Sequence, residues 1–362
     1  MKITIVAGAR PNFMKIAPII KAIHARQAEG SKTDYRLVHT GQHYDKKMSA
    51  DFFEQLGIPE PHANLEAGGG TQAEQTAAIM VRFEKELMEH RPNLILVVGD
   101  VTSTMACTIT AKKLCIDAVH VEAGIRSGDM TMPEEINRIV TDSITDHFFT
   151  TSEIANEHLR KTGVEESRIH FVGNTMIDTL HQNLDRLIEP ELWGAANLKA
   201  KKYFLLTLHR PTNVDDPANL EHLLGTIIRS TGDLPVIFPV HPRTKKILDS
   251  IGFNNEKLVL AEPMPYLEFI YLVKNALAVI TDSGGITEEA TVLHVPCMTM
   301  RDSTERPETV TMGTNELIGT DPTKLEPYLA KIMSGSWKTG QVPPLWDGKT
   351  AVRIIKKLEE LY

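Results

Sequence analysis

Short runs of β-branched and other apolar residues recur along this chain, each closed by Gly, Asp, Ser or Thr and each followed by a stretch of helical spacing. ITIV (3–6), YRLV (35–38), LILVVGD (94–100), AVHVEAG (118–124), HFFTTS (147–152) and IHFVGN (169–174) form one series. YFLLTLH (203–209), PVIFPVH (235–241), KLVLAE (257–262), ALAVITD (276–282) and VPCMTM (295–300) form a second. Strand alternating with helix predicts β/α units, and the unbroken apolar character of the strands predicts parallel, doubly wound sheets covered by helices on both faces. Between the series lies a polar stretch, about 176–200, whose IEPELWGAANLKAKK breaks periodicity with Pro and Gly. The expectation is an α/β chain with a first domain over 1–175 and a second over 176–348, followed by a terminal helix (349–362) that buries Val352, Ile355, Leu358 and Leu361.

The 362 residues exceed what one core of about 250–300 residues holds, which agrees with two domains. Basic and acidic side chains number 39 and 47, a net charge of −8, so no global basic field gathers nucleic acid or an anionic membrane. Any phosphate site has to be local. Cys107, Cys115 and Cys297 are odd in number and lack C-x-x-C spacing, which argues against a disulfide framework or a cysteine-rich zinc site and suits a reducing cytoplasm. The apolar start at 3–6 is too short for a signal segment, and no stretch approaches about 18 uncharged apolar residues, so neither export by that route nor a membrane span is expected.

In open parallel sheets ligands bind beyond the carboxyl ends of the strands, which makes the residues closing each run the functional candidates and the cleft between two such sheets the expected site. The first run opens into GARPNFMK, where Gly8 permits a tight turn, Arg10 offers a planar donor fork, Pro11 starts a helix and Lys15 follows one turn on. This reads as an anion-facing loop or as a solvated surface turn. Neither G-x-G-x-x-G nor G-x-x-x-x-G-K-[ST] occurs, which argues against ordinary dinucleotide binding and P-loop hydrolysis. In ITDSGGITEEA, Ser283, Gly284 and Gly285 sit at a helix start whose N–H groups and dipole favour phosphate, and Glu289 lies where a carboxylate accepts both hydroxyls of a ribose. The competing reading is a plain cap through Asp282 or Ser283.

Three carboxylates stand out. Asp100 closes a strand and is either functional or the N-cap of a helix near Thr102. Glu122 ends a buried strand, where a carboxylate is costly unless paired or functional, and Arg126 is its available structural partner. Glu134 and Glu135 follow Pro133 at a helix start, where acidic residues favour the dipole regardless of function. His209 and His241 each end a strand of the second series beside Arg and Pro, positions suited to a sugar or a diphosphate. His39 and His43 fall in a strand-to-loop transition and make no convincing metal pair; no H-E-x-x-H occurs, no metal is expected, and Ser283 lacks a visible base.

Taken together, GARPNFMK, GDVTST, HVEAGIRSGDMTMPEEINR, GNTMID, LHRPTNVDD, PVHPR, ITDSGGITEEA and RDSTERPETVTMGT resemble the non-hydrolysing UDP-N-acetylglucosamine 2-epimerase family over nearly the whole chain. The resemblance implies two Rossmann-like domains in a glycosyltransferase-B-like arrangement, an active site in the interdomain cleft, a terminal helix crossing back to the first domain, a homodimer, and no cofactor. It implies interconversion of UDP-GlcNAc and UDP-ManNAc, with catalytic acids at Asp100, Glu122 and Glu134, a catalytic histidine at His209, and substrate contacts at Arg10, Lys15, Ser283, Gly284 and Glu289. The chain departs from better-known members in a shorter loop between Gly128 and Pro133, in Pro211, and in TGQHYDKKM, whose Tyr44 and Asp45 replace the basic and amide groups of the family's allosteric segment. That activation is therefore not expected here. GARPNF and TGQHYD are also similar to relatives acting on UDP-diacetamido-uronic acids, which leaves that substrate as the alternative, beside a hydrolysing epimerase that releases UDP and free ManNAc.

The chemistry fits these residue types. C2 of a UDP-sugar is not adjacent to a carbonyl, so direct deprotonation is unfavourable, and elimination of UDP to a 2-acetamidoglucal followed by re-addition is the expected route. Clustered carboxylates can keep one member protonated while another is ionised.

Overall fold

The computed structural model describes residues 1–41, 53 and 55–362 of the chain; His43, Tyr44 and Asp45 lie outside the described residues. Two compact units divide it, one of Met1–Gln182 with Pro344–Tyr362 and one of Asn183–Pro343. Each is a Rossmann-like α/β unit.

In the first unit β1 (Lys2–Ala7), β2 (Asp34–His39), β3 (Ala63–Asn64), β4 (Leu94–Val98), β5 (Asp117–Val121), β6 (His147–Thr150) and β7 (Ile169–Phe171) form a sheet in the order β3-β2-β1-β4-β5-β6-β7. In the second, β8 (Phe204–Thr207), β9 (Val236–Pro239), β10 (Leu258–Ala261), β11 (Ala278–Thr281), β12 (Cys297–Thr299) and β13 (Asn315–Leu317) run β10-β9-β8-β11-β12-β13. Every strand pairing is parallel. The central strands are buried on both faces, as their unalternating sequences demand. The short edge strands β3 and β13 are the ones that apolar runs did not predict: a two-residue AN and a polar NEL carry no periodic signal.

Strand order reverses between β1 and β4 in the first sheet and between β8 and β11 in the second. At such a switch point the connections leave toward opposite faces, and the strand ends open a crevice.

The observed junctions differ from 175/176 and 348/349. The helix Thr175–Asn183 falls largely in the first unit because Asp178, buried within it, accepts hydrogen bonds from the backbone N–H groups of Thr350 (3.0 Å) and Ala351 (2.7 Å) at the start of the terminal helix Thr350–Leu361. Trp346, also buried, donates its indole N–H to the Thr151 carbonyl at 3.0 Å. The terminal helix thus packs on the first unit, through Ala351, Ile354, Ile355 and Leu358. Val352 is exposed, because the buried stripe follows i, i+3, i+4 from Ala351 and not the i, i+3 spacing from Val352.

Candidate active site

The β1 turn is built by Asn12. Its side-chain oxygen accepts from the N–H groups of Gly8 (3.1 Å) and Ala9 (3.0 Å), while its amide donates to the Val98 carbonyl (3.1 Å), tying the start of the helix Arg10–Ala28 to the end of β4 across the switch point. Gly8 is needed for close approach: a Cβ there would lie 2.0 Å from the Ser103 hydroxyl. Arg10 is exposed at the first turn of that helix.

Lys15 reaches back from the same helix to the end of β5, where its Nζ meets Glu122 Oε2 at 2.7 Å; the side chains are 13% and 2% exposed. Glu122 is therefore paired with Lys15 and not with Arg126, which instead binds Asp142 at 2.7 Å. Glu122 also adopts a left-handed backbone, φ 69°, a conformation that costs a non-glycine residue free energy and clusters at functional sites.

Asp100 does not cap the helix Thr102–Lys113, whose N-cap is Val101 with no side-chain bond. Its Oδ2 instead receives Arg138 Nε (3.0 Å) and a terminal guanidinium nitrogen (2.6 Å), a two-pronged clamp from the helix Pro133–Ile144. The two glutamates opening that helix divide their tasks. Glu135 is buried and accepts from Ser127 N (2.9 Å), Gly128 N (3.0 Å) and Arg138 (2.7 Å). Burial pushes its carboxyl up, but these donors outweigh that and hold it below the usual range. Glu134, one residue earlier, is half-buried and bonds no side chain among the described residues.

In the second unit Asp282 at the end of β11, fully buried, binds across the β8/β11 switch point. It accepts from Arg210 N (2.9 Å), Asn213 Nδ2 (3.0 Å) and His209 N, and its Oδ1 lies 2.7 Å from His209 Nδ1. Burial raises the Asp282 carboxyl, but the His209 ring, Asn213 and the Arg210 N–H overcome it and hold the group ionised. The His209 side chain is 61% exposed, with Nδ1 turned inward on Asp282 and Nε2 left for a ligand. Asp282 thus organises the LHRP turn, and Ser283, the N-cap of the helix Gly284–Val292, makes no side-chain cap bond.

Gly284 and Gly285 have ordinary helical backbones, and a Cβ would meet nothing closer than 3.8 Å at Gly284 and nothing within 4 Å at Gly285. The protein's own packing does not require glycine at either position. Close approach of a ligand to the helix-start N–H groups would. Glu289, further along the helix, is buried and accepts from Tyr266 Oη at 2.9 Å. Burial pushes its carboxyl up to about 8, with Glu288 adding to the rise and the Tyr266 bond opposing it, so at neutral pH it holds a proton. His241 spends its Nδ1 on the Arg243 N–H (3.3 Å), capping the helix Pro242–Ile251, with the ring exposed at the end of β9. No group of three or more His, Cys, Asp or Glu side chains among the described residues is placed to hold a metal ion.

The sequence profile described as UDP-N-acetylglucosamine 2-epimerase matches residues 25–359. The chain belongs to that epimerase family. It is 42% identical to the UDP-N-acetylglucosamine 2-epimerase of Methanocaldococcus jannaschii over 99% of both chains, and 40% identical to the UDP-2,3-diacetamido-2,3-dideoxy-D-glucuronate 2-epimerase of Pseudomonas aeruginosa over 88% of both. Among solved structures it is similar to that of the M. jannaschii epimerase in complex with UDP-GlcNAc and UDP, with a TM-score of 0.86, 42% identity and coverage of 99% and 100% of the two chains. The Neisseria meningitidis epimerase bound to UDP-GlcNAc gives a TM-score of 0.87 at 26% identity, covering 99% and 100%.

Within this epimerase fold, Lys15 meets Glu122 at the end of β5, Asp100 follows β4, Arg10 and Glu134 stand at the starts of the helices Arg10–Ala28 and Pro133–Ile144, His209 binds Asp282 at the end of β11, and Ser283, Gly284, Gly285 and Glu289 follow it into the next helix. The residues that sequence reasoning did not assign to the site are Asn12, Arg138 and Asp282. Arg138 and Asp282 stood in motifs already quoted, PEEINR and ITDSGG, but nothing local announced that their partners lie 38 and 73 residues away.

Proposed function

We propose that the chain epimerises C2 of a UDP-2-acetamido sugar, UDP-GlcNAc to UDP-ManNAc, by eliminating UDP and adding it back, with no added cofactor. The observation that carries this is the chemistry of the two switch points: carboxylates paired with cations at one, Glu122 with Lys15 and Asp100 with Arg138, and a glycine helix start that follows a His–Asp pair at the other. Elimination breaks the C2–H and C1–O bonds. The base takes the proton, the C–H electron pair becomes the C1=C2 double bond, and UDP departs with the C1–O pair. Re-addition delivers a proton to the opposite face of C2 and rejoins UDP at C1, so the cycle is redox-neutral.

Asp100, Glu122 and Glu134 supply the base and the acid. General acid–base help of about 10²- to 10⁴-fold does not alone break a glycosyl phosphate bond quickly. Arg10, Lys15, His209 and the Ser283–Gly285 N–H groups add charge stabilisation on the leaving diphosphate, with His241 as a further contact. Glu289, neutral at pH 7, offers a ribose diol one donor and one acceptor instead of two acceptors.

The P. aeruginosa relative supports a diacetamido-uronate as a second reading. Against it, a uronate brings another negative charge to a site where Lys15, Arg126 and Arg138 already face carboxylates, which favours the uncharged GlcNAc ring. We also place the protein in a reducing cytoplasm, which suits three free cysteines, and infer a homodimer, for which exposed Ile136 and Ile139 on the outer face of the helix Pro133–Ile144 offer an apolar surface. Incubation with UDP-GlcNAc in deuterated water tests the reaction. Deuterium at C2 of recovered UDP-sugar is expected; stoichiometric free UDP and ManNAc would establish the hydrolysing enzyme instead.

A further inference from the structure

Two buried side chains outside the acid trio, His120 and Asp142, touch every segment that carries one of the acids. His120 lies on β5, two residues before Glu122. Its Nε2 meets the carbonyl of Gly99, the residue before Asp100, at 2.8 Å, and its Nδ1 meets Asp142 Oδ1 at 2.7 Å. Asp142 belongs to the helix that begins with Glu134, and its second oxygen receives the Gly124 N–H at 3.0 Å and Arg126 at 2.7 Å, just after Glu122. Gly99 and Gly124 both have left-handed backbones, φ 67° and 76°, so both contacts pin turns and not regular structure.

The bonding pattern constrains the pair. A carbonyl oxygen only accepts, so Nε2 carries a hydrogen. Asp142 is ion-paired to Arg126 and takes the Gly124 N–H; burial opposes its charge, but His120 and Arg126 hold its carboxyl below the usual range. The His120 ring has no exposed surface, and its Nδ1 faces this carboxylate at 2.7 Å. Charge-assisted bonds of this kind are short and directional, which suits them to fixing geometry more than to adding net stability.

We propose that the His120–Asp142 pair is the positioning joint of the acid trio, setting the Asp100 turn, the Glu122 turn and the Glu134 helix against one another for proton transfer at C2. The inference rests on the acid–base reading above. Neither residue is asked to touch substrate.

The test uses the full chain with Asp142→Asn, which keeps the side-chain volume but replaces one acceptor oxygen by a donor, and His120→Gln, which keeps a donor toward the Gly99 carbonyl but loses the ring. The readouts are kcat and KM for UDP-GlcNAc, UDP affinity and stoichiometry by calorimetry, and the share of turnovers released as free 2-acetamidoglucal. Misplacing the acids should lower kcat by about 10²-fold, leave KM and UDP affinity at parental values, and raise the share of released glucal because reprotonation is slowed. A kcat that falls only in proportion to the UDP-binding stoichiometry, with glucal release unchanged, would mean a purely structural role and overturn the proposal. Should Asp142→Asn not fold, His120→Gln decides on the same readouts. If Glu122→Gln and Glu134→Gln abolish C2 exchange while both joint variants match the parent, this inference fails and the acid reading stands; if those amide variants also keep exchange, the acid reading itself has failed.

Discussion

Beyond β4 and β5 each buried or half-buried strand-end carboxylate meets a cation, Glu122 with Lys15 and Asp100 with Arg138, whereas beyond β11 Glu289 is buried against a neutral phenol. The same residue type is thereby prepared for opposite work. A carboxylate beside a fixed cation can accept a proton or return one, and a carboxyl raised to about 8 by burial serves as a neutral hydrogen-bonding group. Each sheet carries its charge pattern at the point where strand order reverses, and the two patterns are not interchangeable.

The comparison breaks most visibly at Glu122. Replacing it by Gln should cut kcat by about 10²- to 10⁴-fold while UDP affinity, measured by calorimetry, stays near parental. Lys15→Met removes the cation that meets the buried Glu122 carboxylate. A loss of about 3–5 kcal/mol in unfolding free energy is expected, read from denaturant titration.

Smaller effects separate ligand demands from folding demands. Gly285→Ala should leave Tm unchanged, since no atom lies within 4 Å of the added Cβ. It should still weaken UDP binding by about 1–3 kcal/mol if the nucleotide phosphate occupies that space. Gly124→Ala is the contrasting case: the Cβ would lie 2.4 Å from the Ala155 carbonyl oxygen on a left-handed backbone, so Tm itself should fall.

The smallest effect is a pH slope. The native state holds the Glu289 proton between the ordinary carboxyl value of 4.5 and about 8, whereas the unfolded chain releases it, so this group's contribution to stability falls as pH rises through that window. The slope is at most about 1.4 kcal/mol per pH unit. Glu289→Gln should flatten it, and Tyr266→Phe, which removes the opposing bond, should extend it to higher pH. Asp282 behaves in the reverse sense: its contribution is present above its unfolded value of 3.8 and is lost as pH falls through its depressed native value.

Much of the fold was legible because apolar runs such as LILVVGD and ALAVITD leave little choice of structure, and because Gly, Pro and Asp mark where strands turn. The second half-site was legible for a similar reason: a helix start is a local feature, and DSGG writes it in consecutive residues. The partners were not. Arg126 stands nearer in sequence to Glu122 than Lys15 does, yet it serves Asp142, because strand order sets β1 and β4 side by side and brings the helix after β1 over the end of β5. Asp100 reads as a cap until Arg138 is seen to clamp it, and nothing in the PVHPR spacing shows that His241 Nδ1 takes the Arg243 N–H. Spacing identifies a residue that can act; only the fold determines which neighbour occupies it.

The most direct test of this division of labour is a crystal structure with UDP bound. The account predicts diphosphate oxygens within hydrogen-bond distance of the Gly284 and Gly285 backbone N–H groups and of His209 Nε2, with Lys15 still on Glu122 and Arg138 still on Asp100. A diphosphate that touches neither His209 nor the Ser283–Gly285 helix start, and instead displaces Asp100 from Arg138, would contradict it.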